Sequence, residues 1–140
     1  MKGFSLLELL ITIALIALIA IIGIPNFSSA IARNELITQA NEFVGAIQLA
    51  RSEAVKRNRV IRIVPRETWA DGYKVLNDKE VMKEWEAAEL PMRSDAAFLS
   101  FNSNGATGGI STFMICNERN GLQIKVNAIG RPRITELNCY

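Results

Sequence analysis

Residues 1–25 read MKGFSLLELLITIALIALIAIIGIP. From Leu9 to Ile24 only Thr12 and Gly23 depart from an apolar run of about 16 residues, or about 19 when counted back to Leu6. That is near the lower length for spanning a bilayer, and the run has no polar face of the kind a soluble surface helix carries. The expectation is a membrane-inserted helix. Glu8 is its anomaly, because an ionised carboxylate in hydrocarbon costs several kcal/mol unless a partner neutralises it. No Lys or Arg lies between Gly3 and Ala32, so the partner must be a terminal amine, another molecule or a proton. Pro25-Asn26-Phe27 follows, and helical periodicity continues beyond it, which argues against a routinely removed secretory signal.

After Pro25 the helix becomes one-sided. Leu36, Ala40, Phe43, Ile47, Ala50 and Ala54 recur at steps of three and four, while Arg33, Glu35, Gln39, Glu42, Gln48, Arg51 and Glu53 avoid that stripe. One helix is therefore predicted to run to about residue 58, with Asn58 closing it and a kink between Ile21 and Pro25, where the proline ring removes a backbone donor. From Val60 to Val64 the period drops to two, bounded by Pro65. Asp71-Gly72 is read as a tight turn between Thr68-Trp69 and Tyr73–Leu76, and Asn120-Gly121 as one between Thr112–Cys116 and Leu122–Val126. Phe98, Leu99 and Phe101 suggest another strand, and Asn104–Gly109 a flexible loop. The acidic stretch Glu80–Glu89 is left as a short helix or a solvated edge without a role. The predicted class is α+β: a long kinked N-terminal helix, half membrane and half amphipathic, packed on an antiparallel β-sheet domain.

Composition bounds the function. The chain has 140 residues, 49% hydrophobic, with a net charge of +2, so one modest core and one special segment account for it. It contains no histidine and two cysteines, which removes the commonest general base, the commonest metal ligand and every Ser/His or Cys/His pairing. It has no P-loop either. An enzyme is not expected, and neither is a metal or cofactor.

Lys2-Gly3-Phe4-Ser5-Leu6-Leu7-Glu8 resembles the class III signal of type IV pilins and pseudopilins. The resemblance implies a type IV pilin-like fold and cleavage after Gly3 by a prepilin peptidase in the inner membrane, with methylation of the new N-terminal residue, Phe4. Glu8 becomes the fifth residue of the mature chain and matches the family's glutamate, which pairs with a neighbouring subunit's terminal amine during filament assembly. The implied organisation is a leader at 1–3, a transmembrane and filament-core helix at 4–29, and a periplasmic or extracellular globular domain at 30–140. The subunit would be a single-pass inner-membrane protein before it enters the pilus. Leu49–Asn58 is similar to the helix ending of the FimT/GspH group of minor pilins and pseudopilins. Arg51, Lys56 and Arg57 in it have a plain structural reading, as a cationic last turn facing the negative end of the helix dipole.

Gly130-Arg131-Pro132-Arg133 near the C-terminus combines a residue free to take positive φ with a proline that fixes its neighbours, so both guanidinium groups are expected on a preorganised loop suited to phosphate. In the FimT branch a Gly-Arg-x-Arg motif at this place is associated with DNA binding in natural transformation and competence, and Gly130, Arg131 and Arg133 match it. Lys125 and Arg119 are candidates to extend the basic patch. The periplasmic setting implied by the signal favours a Cys116–Cys139 disulfide, which would also pin the Arg131 loop. The expected partners are DNA, other major and minor pilins, the prepilin peptidase and the inner membrane. Two alternatives share the architecture: a GspH-like type II secretion pseudopilin, and an assembly minor pilin with protein partners only.

Overall fold

The computed structural model describes residues 5–117 and 120–139, without the side chains of 22–26. Helix α1 spans Leu6–Arg57. The chain divides into two compact units, residues 1–34 and 35–140.

In the first unit the apolar side chains from Leu6 to Ile21 project outward around the whole circumference of the helix. Thr12 satisfies its hydroxyl internally by donating to the Leu9 carbonyl at 2.8 Å. Among the described residues no helix is long and apolar enough to cross a membrane. Leu6 to Ile21 covers only about 24 Å at 1.5 Å per residue. The apolar residues that would extend it, up to Ile24, have no described side chains.

The second unit begins with the amphipathic part of α1. Leu36, Ala40, Phe43, Ile47, Ala50 and Ala54 are all buried, so the apolar stripe is the face that meets the sheets. The helix ends in a Schellman arrangement. Asn58 takes φ 52°, its amide donates to Val55 O at 3.3 Å, and the Arg59 amide donates to Ala54 O at 3.2 Å. Asparagine tolerates this left-handed position better than most residues, which is why the helix stops here.

Eight strands follow: β1 (Ile61–Pro65), β2 (Gly72–Asn77), β3 (Glu80–Glu86), β4 (Met92–Ser94), β5 (Leu99–Phe101), β6 (Ser111–Cys116), β7 (Asn120–Val126) and β8 (Pro132–Asn138). They form two four-stranded sheets, ordered β3-β2-β1-β5 and β4-β6-β7-β8, antiparallel throughout. Phe43 reaches both sheets. Its ring lies 5.0 Å from that of Tyr73 on β2 and 4.7 Å from that of Phe113 on β6. Burying such a side chain contributes about 1.5–3 kcal/mol.

Three local expectations are corrected, and a fourth is decided between its alternatives. Asp71-Gly72 is no hairpin turn: Trp69–Asp71 is a single 3-10 turn, and β2 pairs with β1, Tyr73 lying opposite Pro65. The Asp71 carboxylate accepts the Thr68 amide at 3.0 Å and hydroxyl at 2.6 Å, which closes the turn. Those two bonds, hydroxyl first, hold Asp71 below the usual carboxylate range. Trp69 is thereby turned into the core, its indole N–H donating to Ala96 O at 2.6 Å. Asn120-Gly121 belongs to β7 rather than to the turn, because the Asn117 amide donates to Asn120 O at 2.9 Å and Gly121 pairs with Cys116. Of the two alternatives for the acidic stretch, the solvated edge is the one found: Glu80–Glu86 is strand β3, an exposed edge whose charges discourage pairing with another sheet. The glycine-rich segment 104–109 is held by its own backbone, Gly105 N–H donating to Asn102 O and Asn102 N–H to Ala106 O, both at 2.8 Å.

Candidate nucleic-acid interface

The loop between β7 and β8 carries the predicted motif, and three contacts fix it. The Gly130 amide donates to Asn127 O at 2.8 Å. The Arg131 amide donates to Asn127 Oδ1 at 2.8 Å, and the Asn127 amide to Arg131 O at 3.2 Å. Gly130 takes φ 76°. A β-carbon there would collide with the carbonyl of Gly105 and stand 3.4 Å from Arg51 Nε. Glycine is required both for the backbone conformation and for the close approach of the two loops.

Arg51 holds the neighbouring loop in place. Its Nε–H donates to Gly105 O at 3.1 Å, and Thr107 N–H donates to Ala128 O at 3.0 Å. Arg51 therefore serves as a clamp between α1 and the loop 102–107, and the last-turn reading applies only to Lys56 and Arg57. Arg57 pairs with Glu53 at 2.6 Å. That hydrogen bond lowers the Glu53 carboxyl and raises the Arg57 guanidinium from their ordinary values.

Arg131 is exposed at the end of the loop, while Arg133 already belongs to β8. Only Arg131 is therefore a loop residue. Arg133 lies directly opposite Lys125 on β7, and both are exposed. Residues directly opposite across antiparallel strands share a face, so sheet register gathers these two cations beside Arg131. Arg119 lies outside the described residues, as do Gly3 and Phe4 of the predicted processing site. Glu8 sits in the first turn of α1, its amide donating to Ser5 O at 3.0 Å. Among the described residues no cluster of three or more His, Cys, Asp or Glu could hold a metal ion.

Cys116 and Cys139 form a disulfide with Cα atoms 6.0 Å apart. It ties β6 to the chain just beyond β8, across β7. A β-carbon on Gly121 would collide with Cys139 Sγ and stand 2.9 Å from Cys116 Sγ, so this glycine makes room for the bridge. The bridge does not itself pin the Arg131 loop. Cys139 is six residues past Arg133, about 20 Å along an extended strand, and the loop is held by Asn127, Thr107 and Arg51 instead. Neither Asn127 nor the Thr107–Ala128 contact stands out in the sequence, because both depend on loops that meet only in the fold.

The family described as Type II transport protein GspH matches residues 39–130. No curated protein matches the chain. Two crystal structures of the type IV minor pilin FimU of Pseudomonas aeruginosa strain PAO1 are similar to it. In space group P21 the TM-score is 0.67, with 25% identity over 78% of this chain and 98% of that one. In space group P65 it is 0.65, with 24% identity over 75% and 100%. The long helix on antiparallel sheets is the fold of a minor pilin, a structural subunit rather than an enzyme, with other pilins as its partners. By the family match and this shared fold, the chain belongs to the GspH family of pilin-like proteins.

Proposed function

We propose that this subunit is a minor pilin of a type IV pilus that binds extracellular DNA for uptake in natural transformation. The observation that carries the reading is the fixed loop at Gly130, with exposed Arg131 beside the exposed pair Arg133 and Lys125. A preorganised arginine loses little rotamer freedom when its fork meets a phosphate. Contacts of this kind ignore base sequence and weaken steeply with salt. Arg119, a candidate from the sequence alone, would extend the basic surface.

The life cycle follows from the N-terminal signal. The apolar helix inserts in the inner membrane, the prepilin peptidase cuts after Gly3, and Phe4 is methylated. Glu8 then neutralises a neighbour's terminal amine as the helix enters the filament, which carries the β domain outward to meet DNA.

The test is binding of labelled duplex DNA to the full chain in a non-ionic detergent across a salt series, beside an Arg131→Gln/Arg133→Gln variant. Salt-dependent binding that the folded variant loses supports the reading. Absence of binding at low salt overturns it. The family description as a type II transport protein favours one second reading, a secretion pseudopilin that contacts neighbouring pseudopilins. Loss of secretion without loss of transformation on gene deletion would select it.

A further inference from the structure

The four strands of the second sheet, β4, β6, β7 and β8, have an inner face built on Phe113, Ile115, Ile124 and Val126, all fully buried. Their outer face is set by the complementary alternation. Arg93 on β4 lies opposite Met114, Met114 opposite Gln123, and Gln123 opposite Thr135. The adjoining row ends in Lys125 and Arg133. Arg93, Met114, Lys125, Arg133 and Thr135 are exposed, so this face is uncovered.

Its charge is one-sided. Glu136 is the sole carboxylate within these four strands, and it sits opposite the buried Leu122, on the other face. Among the described residues no ion pair engages Arg93, Lys125, Arg131 or Arg133. The first sheet contrasts with this. There Glu84 holds both Arg66 at 3.1 Å and Lys74 at 3.4 Å, while Arg62 and Lys83 lie over the rings of Phe98 and Trp85.

We infer that this whole sheet face is a second docking surface for the DNA backbone, with Arg93 as its far anchor. The inference rests on the DNA-binding reading of the Arg131 loop and extends it. From β4 to β8 is three strand spacings, about 14 Å, close to the major-groove width of about 12 Å. Arg93 shares its register row with Thr135, two residues along β8 from Arg133, so Arg93 and Arg133 stand about 16 Å apart and their long side chains can reach phosphates on either side of a groove. Gln123 and Thr135, lying between them, supply neutral hydrogen-bonding groups of the kind that contact phosphate and sugar. A duplex laid on a cationic sheet face is read by its backbone and not by its bases.

The test measures duplex affinity against salt for the full chain in detergent, comparing wild type with Arg93→Gln, Arg93→Lys and a control on the first sheet, Arg62→Gln. Removing one phosphate contact lowers the slope of log affinity against log salt by about 0.9. Arg93→Gln is expected to show that drop and several-fold weaker binding near physiological salt. Arg93→Lys is expected to keep the slope, and Arg62→Gln to behave as wild type. Near-ultraviolet circular dichroism of the aromatic core checks that each variant is folded. If Arg93→Gln matches wild type while the Arg131/Arg133 variant loses binding, the loop acts alone and the sheet-face inference is overturned. If wild type binds no DNA, the loop reading fails and the inference falls with it.

Discussion

At the scale of single residues, one glycine and one tyrosine carry the sharpest consequences. Gly130→Ala places a side chain at φ 76° and against the Gly105 carbonyl. The left-handed conformation alone costs about 1–2 kcal/mol. The expected outcome is a lower melting temperature together with weaker DNA binding, because the loop must move to admit the methyl group. Tyr73 is buried beneath Phe43, and burial first, then the charge of nearby Glu42, pushes its phenol above the usual tyrosine range. The folded state therefore favours the neutral phenol. The resulting stabilisation is complete below pH 10, the unfolded value, and is lost as pH rises beyond it toward the folded value. In a Tyr140→Phe background, alkaline difference absorbance should show no tyrosinate forming near pH 10 until the protein unfolds. A normal titration would contradict this burial.

At the scale of elements, the β7–β8 loop and the disulfide lie at opposite ends of one strand and should respond separately. Asn127→Ala removes the acceptor for the Arg131 amide, a contribution of about 1 kcal/mol. It is expected to reduce melting temperature slightly and DNA affinity more, since Arg131 loses its fixed backbone. Reduction of Cys116–Cys139 releases a constraint spanning 23 residues, which the chain-entropy account values at about 3 kcal/mol. The reduced protein should melt at lower temperature yet, below its melting point, retain DNA affinity. Loss of affinity in the folded, reduced state would show that the bridge governs the loop after all. The loop's rigidity is local for a physical reason: short hydrogen bonds from Asn127 act within it, and the clamp from Arg51 acts through Gly105.

At the scale of the whole molecule, membership of the GspH family and the minor-pilin fold make assembly with other pilins the setting for every local feature. Glu8→Ala should leave the β domain folded, because residues 1–34 and 35–140 are separate compact units. Its expected effect is on incorporation: the variant should be processed normally but be depleted from sheared filaments, as read by immunoblot. Equal incorporation would remove Glu8 from the assembly role proposed for it. DNA affinity of the solubilised variant should be unchanged.

The amphipathic stripe from Leu36 to Ala54 was legible because helix periodicity and burial obey the same geometry, and every residue of that stripe is buried. The strands at 61–64 and 112–116 were legible for the equivalent reason at period two. Strand β3 was not, because an edge strand with Glu80, Glu84 and Glu86 need bury little and so leaves no apolar signature. Trp69 was misplaced because a turn closed by Thr68 and Asp71 overrides the Asp-Gly hairpin signal. For the candidate site, the sequence by itself determined the chemistry: two arginines around a proline, a glycine free to take positive φ, and two cysteines. Tertiary structure alone decided that Arg133 stands opposite Lys125, that Gly130 packs on Gly105 under Arg51, and that Arg93 shares the outer face. Those neighbours are far apart in the chain, and only the register of the strands brings them together.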